Sequence, residues 1–133
     1  MASLDRYAPA LGRLLLIALF LVSGFGKLAA PAATKTYIAS MGLPFPDLAY
    51  LASIAVELGI GALFLLGFQT RLAAAALAVY SIATSLLFHH NLGDQNEMLH
   101  FLKDLAIAGG FVQVAAFGGG ALSVDALMAK RVR

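Results

Sequence analysis

The chain has 133 residues, of which 61% are hydrophobic and 12% are charged, and its mean hydropathy is +0.87. A soluble domain is about half apolar and about a quarter charged, so this composition leaves too little polar surface for a water-soluble globule and indicates a protein that lies in a lipid bilayer. The absence of cysteine excludes disulfides, thiolate nucleophiles and iron–sulfur sites, and a net charge of +2 gives no sign of a nucleic-acid partner.

Four apolar runs are each about long enough to cross a bilayer, and they predict an all-α fold, an integral membrane four-transmembrane-helix bundle. The stretch between the first two runs contains Pro31, Pro44 and Pro46, which predicts a short interfacial segment followed by a tight turn. The fourth run contains Gln113 and is broken by glycines at 118–120, so it reaches spanning length only if it begins near residue 99. We expect a single membrane domain over residues 1–133, with spans at about 10–28, 48–68, 72–88 and 99–118.

The distribution of lysine and arginine predicts the orientation of the bundle. If both termini are cytoplasmic, six basic residues lie on that side and three lie on the other, which is the bias that membrane proteins show. We therefore expect a multi-pass membrane protein with both termini in the cytoplasm. The cytoplasmic set is Arg6, Arg13, Arg71, Lys130, Arg131 and Arg133, and the opposite set is Lys27, Lys35 and Lys103.

Glu57 lies near the middle of the second span and is the main candidate for a functional residue. A carboxyl group in hydrocarbon costs several kcal/mol unless it is protonated, paired or facing a cavity. Residues spaced three or four apart around it form a small and polar stripe that is expected to face the other helices. We assign Glu57 the catalytic, proton-exchanging role; the alternative is a buried pair with Lys27 that only fixes helix register. The stripe comprises Tyr50, Ser53, Glu57, Gly61 and Phe64.

Other polar side chains cluster in the half of the bundle that faces away from the cytoplasm. Every predicted span sends at least one ionisable group there, whereas the cytoplasmic half has no comparable cluster. These residues are candidates for ligand binding, although Lys27 alone could also extend its amine to the membrane surface. The candidate ligand-binding residues are Lys27, Tyr80, His89, His90, Lys103 and Asp104.

A metal site is not predicted. Glu97 and His100 have the Glu-x-x-His spacing of di-iron helix bundles, but such bundles use this unit twice with two further carboxylates. This chain has one copy. We expect its histidines to form hydrogen bonds with lipid headgroups or a quinone.

Several short motifs follow one another over about residues 14–125: Leu21-Val22-Ser23-Gly24-Phe25-Gly26-Lys27-Leu28, Gly42-Leu43-Pro44, Glu57-Leu58-Gly59, Leu66-Gly67-Phe68-Gln69-Thr70-Arg71, Phe88-His89-His90, Lys103-Asp104-Leu105-Ala106, Gly118-Gly119-Gly120 and Ser123-Val124-Asp125. Their order and spacing resemble the DoxX family. Asp104 departs from the pattern, because an asparagine commonly follows the lysine, and we expect it to pair with Lys103.

The resemblance implies a small four-helix protein of the bacterial inner (cytoplasmic) membrane, similar to the quinone-reducing subunit of thiosulfate:quinone oxidoreductase. Some members of the family are linked to redox stress, thiol oxidation or quinone detoxification. The resemblance therefore favours a quinone-linked oxidoreductase subunit or a redox-stress subunit, with quinone as the candidate cofactor. Without cysteine, a haem motif or a dinucleotide fingerprint, electrons would come from a partner protein. The alternatives are a non-catalytic membrane scaffold and a proton-coupled exporter acting as a homo-oligomer.

Overall fold

The computed structural model describes residues 1–133 and consists of helices and short connections. Four of the helices are long and apolar enough to cross a membrane, which confirms the predicted all-α membrane bundle. A short helix, α2, connects the first two spans, as predicted. The helices are α1 (Ala2–Ala29), α2 (Pro31–Ser40), α3 (Pro46–Leu66), α4 (Thr70–Phe88), α5 (Gln95–Phe117) and α6 (Val124–Val132).

The long helices extend beyond two of the predicted spans. α1 begins at Ala2 rather than near residue 10, because the helix continues from the apolar run through Asp5 and Arg6. α5 begins at Gln95 rather than near residue 99, because Asp94 caps its polar first turn. The Asp94 Oδ1 accepts hydrogen bonds from the backbone N–H groups of Asn96 and Glu97 at 2.9 and 3.1 Å. The added turn gives the fourth span its full length.

α3 contains a π-helical segment, Ala55–Ile60, that includes Glu57. In a π turn the backbone hydrogen bonds connect residues five apart, which widens the helix locally; such segments are rare and often occur at functional sites. The stripe predicted on α3 still faces inward on both sides of this segment, and Tyr50, Gly61 and Phe64 are buried with Glu57.

Aromatic and aliphatic side chains fill the centre of the bundle. The Phe111 ring of α5 meets Phe20 of α1 and Phe64 of α3 edge to face, with ring centroids 5.5 and 5.1 Å apart. Ile17 and Leu77 complete this core and are fully buried. Many leucine, valine and phenylalanine side chains point outward instead, as expected for a surface that meets lipid.

Polar contacts close one end of the bundle, which we call the Arg13 end. Arg13 is only 3% exposed, and its guanidinium donates to the carbonyl oxygens of Phe64, Leu65 and Leu122. These bonds join α1 to the last turn of α3 and to the loop before α6, and they satisfy carbonyl groups that a helix end leaves unpaired. The opposite end, where α1 and α4 finish, is called the Lys27 end.

Candidate functional site

Three side chains from three helices meet at the buried carboxyl group of Glu57. Lys27 of α1 places Nζ 2.5 Å from Glu57 Oε1, and the Tyr80 hydroxyl of α4 donates to the same oxygen at 2.9 Å. Glu57 is only 4% exposed, whereas the Lys27 side chain is 23% exposed. Glu57 Oε2 is buried and receives no hydrogen bond. The carboxyl group is therefore paired on one oxygen and unpaired on the other.

A glycine allows α1 and α3 to approach closely enough for this pair to form. A Cβ atom at Gly24 would lie 2.6 Å from Leu58 Cδ2 and 3.3 Å from Glu57 Cβ. One turn further along α1, the Tyr50 hydroxyl donates to the backbone carbonyl of Lys27 at 3.0 Å. Small residues at a helix crossing let the backbones approach, as in other membrane bundles.

The Lys27–Glu57–Tyr80 cluster lies on the wall of a cavity of about 540 Å³ at the Lys27 end. A volume of this size is typical of small-molecule sites. The lining is mostly apolar with a few polar groups, and it includes Leu19 and Leu87, whose side chains are also exposed on the lipid-facing surface. The cavity thus extends from the paired carboxyl group to the outer surface of the bundle.

Charged and aromatic side chains continue from the cavity to its rim. His89 lines the cavity, and its Nδ1 lies 3.1 Å from Glu97 Oε2. The His89 ring stacks on His100 with 5.1 Å between centroids, and Lys103 Nζ lies 3.3 Å from His100 Nδ1. No group of three or more His, Asp or Glu side chains is arranged to hold a metal ion.

The structure brings most of the predicted site residues together, but not all of them. Neither His90 nor Lys103 lines the cavity, and both are exposed. The expected pair between Lys103 and Asp104 is wrong, because consecutive helical residues point about 100° apart and Lys103 instead contacts His100. The predicted residues that line the cavity are Lys27, Glu57, Tyr80, His89 and Asp104.

Residues 8–90 match the model of the DoxX family. The chain belongs to this family. It is 37% identical over 131 residues to the inner membrane protein YqjF of Escherichia coli strain K12, covering 98% of this chain and 99% of that protein. It is 34% identical over 120 residues to the inner membrane protein YphA of the same strain, covering 86% of each. No solved structure matches the chain.

The matched DoxX segment contains all three members of the central cluster, because it runs from α1 through the end of α4. The names of the two relatives give a membrane location and no reaction. The chemistry open to this DoxX chain depends on the groups that line its cavity.

The cavity can hold a lipophilic molecule and exchange a proton with it. Lys27 has three N–H groups, one of which contacts Glu57, so others remain for a ligand. Glu57 can accept a proton or a hydrogen bond at Oε2. The apolar walls suit a ring or an alkyl chain.

One part of the cavity wall was not anticipated from the sequence. Helix α2 folds over the Lys27 end and contributes Thr34, Tyr37 and Ile38 to the lining. The Tyr37 ring stacks on Phe88 with centroids 5.8 Å apart and planes 16° apart. An aromatic residue within a short interfacial helix is the only sequence signal for this contact, and it does not identify the partner.

Proposed function

We propose that this DoxX protein binds a quinone or a related lipid-soluble aromatic molecule in the cavity at the Lys27 end, as a redox or redox-stress component of the bacterial inner membrane. One observation carries the proposal: a Lys–Glu–Tyr cluster lies on the wall of an apolar cavity that reaches the lipid-facing surface. A molecule dissolved in the bilayer could enter such a cavity without crossing water.

The chemistry of the cluster supports this class of ligand. Polar groups of a quinone ring need hydrogen-bond partners, and its reduction or reoxidation moves protons. Lys27 supplies a donor and Glu57 supplies a proton-accepting oxygen at the same wall. The chain has no cysteine to carry electrons, so a redox role requires a partner protein as the electron donor or acceptor.

We place the protein in the inner membrane with the Lys27 end facing away from the cytoplasm. The names of the two relatives support the location. The excess of lysine and arginine at the Arg13 end and at both termini supports the orientation.

A scaffold without a ligand is the second candidate. The Lys27–Glu57 distance of 2.5 Å favours it, because a well-formed buried ion pair can serve to fix the register of α1 against α3. The scaffold requires Glu57 for assembly and not for binding, and this difference can be measured.

The experiment is a titration of the purified protein in detergent with a short-chain quinone, such as decylquinone, followed by quenching of tyrosine fluorescence. The variants Glu57→Gln and Lys27→Gln are expected to bind about tenfold more weakly, because each removes a charged hydrogen-bond partner. Lys35 and Asp47 form a matched control pair outside the cavity, with Nζ and Oδ1 3.3 Å apart and side chains that are 38% and 82% exposed. Lys35→Gln and Asp47→Asn should bind like the wild type. Equal affinity in all five proteins would overturn the proposal and favour the scaffold.

A further inference from the structure

We propose that the cavity selects a ligand that donates hydrogen bonds, namely a phenol or hydroquinone ring, over the corresponding quinone. This inference rests on the proposed function and concerns the chemical form of its ligand. The preference follows from the side chains that line the cavity, because more of them have a free hydrogen-bond acceptor than a free donor.

Two carboxyl groups on the wall have unused acceptor capacity. Glu57 Oε2 is buried and accepts no hydrogen bond, because Lys27 and Tyr80 both contact Oε1. Asp104 of α5 is half-buried and also lines the cavity, and its side chain forms no ion pair and accepts no hydrogen bond from another protein group. A quinone carbonyl next to these oxygens could form no hydrogen bond with them, because both groups only accept. A hydroxyl group would supply the missing donor.

Most hydroxyl groups that line the cavity already donate a hydrogen bond to another protein group. A hydroxyl that donates to a fixed partner can offer a ligand only its oxygen lone pairs. Tyr80 donates to Glu57. The others donate to backbone carbonyls: Thr34 to Ala30 at 2.8 Å, Ser53 to Tyr50 at 2.8 Å, Ser81 to Leu77 at 2.8 Å and Thr84 to Tyr80 at 3.0 Å.

His89 adds a further acceptor in its neutral form. Its Nδ1 faces the Glu97 carboxylate at 3.1 Å, so Nδ1 must carry the proton and Nε2 is left with a lone pair. The donors that remain free on the wall are the Lys27 amine and the hydroxyl groups of Ser23 and Tyr37. A ring hydroxyl can accept from Lys27 and donate to Glu57, and so matches both sides of the central pair.

The test compares two probes that differ only in the donor. The compounds 4-octylphenol and 4-octylanisole share the ring and the tail, and methylation of the oxygen removes its hydrogen without any redox chemistry. Both are added together to the purified full-length protein in detergent, and their retention is measured by native mass spectrometry. We expect the wild type to retain the phenol about tenfold better than the ether.

The same mixture of phenol and ether is then added to two variants, to test whether the preference for the phenol depends on Glu57. In Glu57→Gln the phenol-to-ether ratio should fall toward one, whereas the exposed control Asp47→Asn should keep the wild-type ratio. Equal or better retention of the ether by the wild type overturns the inference, and this comparison stands even if Glu57→Gln does not fold. If the wild type shows no preference for the phenol but decylquinone binding still depends on Lys27 and Glu57, the proposed function stands and only the inference about the ligand's chemical form fails. If neither probe nor quinone is bound, both fail.

Discussion

The Asp125 carboxylate joins the first turn of α6 to the start of α4 at the Arg13 end. Its Oδ1 accepts from the Gln69 N–H at 2.8 Å, and its Oδ2 accepts from the Thr70 N–H at 2.8 Å and the Thr70 hydroxyl at 2.6 Å. Burial alone would raise the pKa of Asp125, but these hydrogen bonds and the nearby Arg13 charge outweigh it and lower the pKa below the ordinary value of 3.8.

The lowered pKa of Asp125 gives a pH-dependent prediction. Because the folded-state pKa lies below that of the unfolded chain, the stabilisation is present above pH 3.8 and is lost as the pH falls through the folded value. Asp125→Asn should lower the free energy of unfolding by about 1–2 kcal/mol at pH 7. The difference from the wild type should shrink below about pH 4.

Unfolding of the two proteins in detergent, followed by circular dichroism at several pH values, checks this. Asp5→Asn is the control, since Asp5 is exposed and its side chain forms no hydrogen bond or ion pair. A difference between wild type and Asp125→Asn that did not depend on pH would contradict the assignment.

At the scale of the helices, the contact between α1 and α3 determines whether Lys27 can reach Glu57. Gly24→Leu should force the two helices apart, because even a Cβ at this position lies 2.6 Å from the Leu58 side chain. We expect a loss of about 2 kcal/mol of stability and a loss of quinone binding. Gly26→Leu is the matched control on the same helix, since nothing lies within 4 Å of the added Cβ. Thermal unfolding and ligand titration of both variants test the prediction, and wild-type binding by Gly24→Leu would refute it.

Helical periodicity was sufficient to predict which faces of the spans converge. The stripe around Glu57 on α3 recurs every three or four residues, and four of its five members are buried against the other helices as expected. Periodicity could not reveal the π-helical turn, because backbone widening has no composition signal of its own. It does distinguish His89 from His90, because His89 follows the buried Ser81 and Ser85 at intervals of four residues.

At the scale of the whole molecule, hydropathy predicted the four spans and the charge distribution predicted an orientation. Side-chain contacts between distant segments could not be predicted from the sequence. Arg13 was counted only as one of the basic residues on the cytoplasmic side, whereas the structure shows that it is buried and donates to backbone carbonyls of α3. The packing of Tyr37 on Phe88, which makes α2 part of the cavity wall, was missed for the same reason. Both contacts join residues far apart in sequence, and no local pattern encodes them.

The orientation itself can be measured because the chain contains no cysteine. Single cysteines at Asn91, in the loop between α4 and α5, and at Arg133, at the C-terminus, would be treated with a membrane-impermeant thiol reagent in intact cells. We expect labelling at residue 91 once the reagent reaches the outer face of the inner membrane, and labelling at residue 133 only after the inner membrane is broken. The reverse pattern would place the Lys27 end in the cytoplasm.

The most direct measurement of the central claim is photolabelling of the protein in membranes with an azido-quinone, followed by mapping of the modified residues by mass spectrometry. The account predicts labels on the segments that line the cavity, around residues 19–27 of α1, 52–57 of α3 and 80–89 of α4, and their loss when unlabelled quinone is in excess. Labels confined to lipid-facing positions such as Val112, or labels that excess quinone does not reduce, would contradict it.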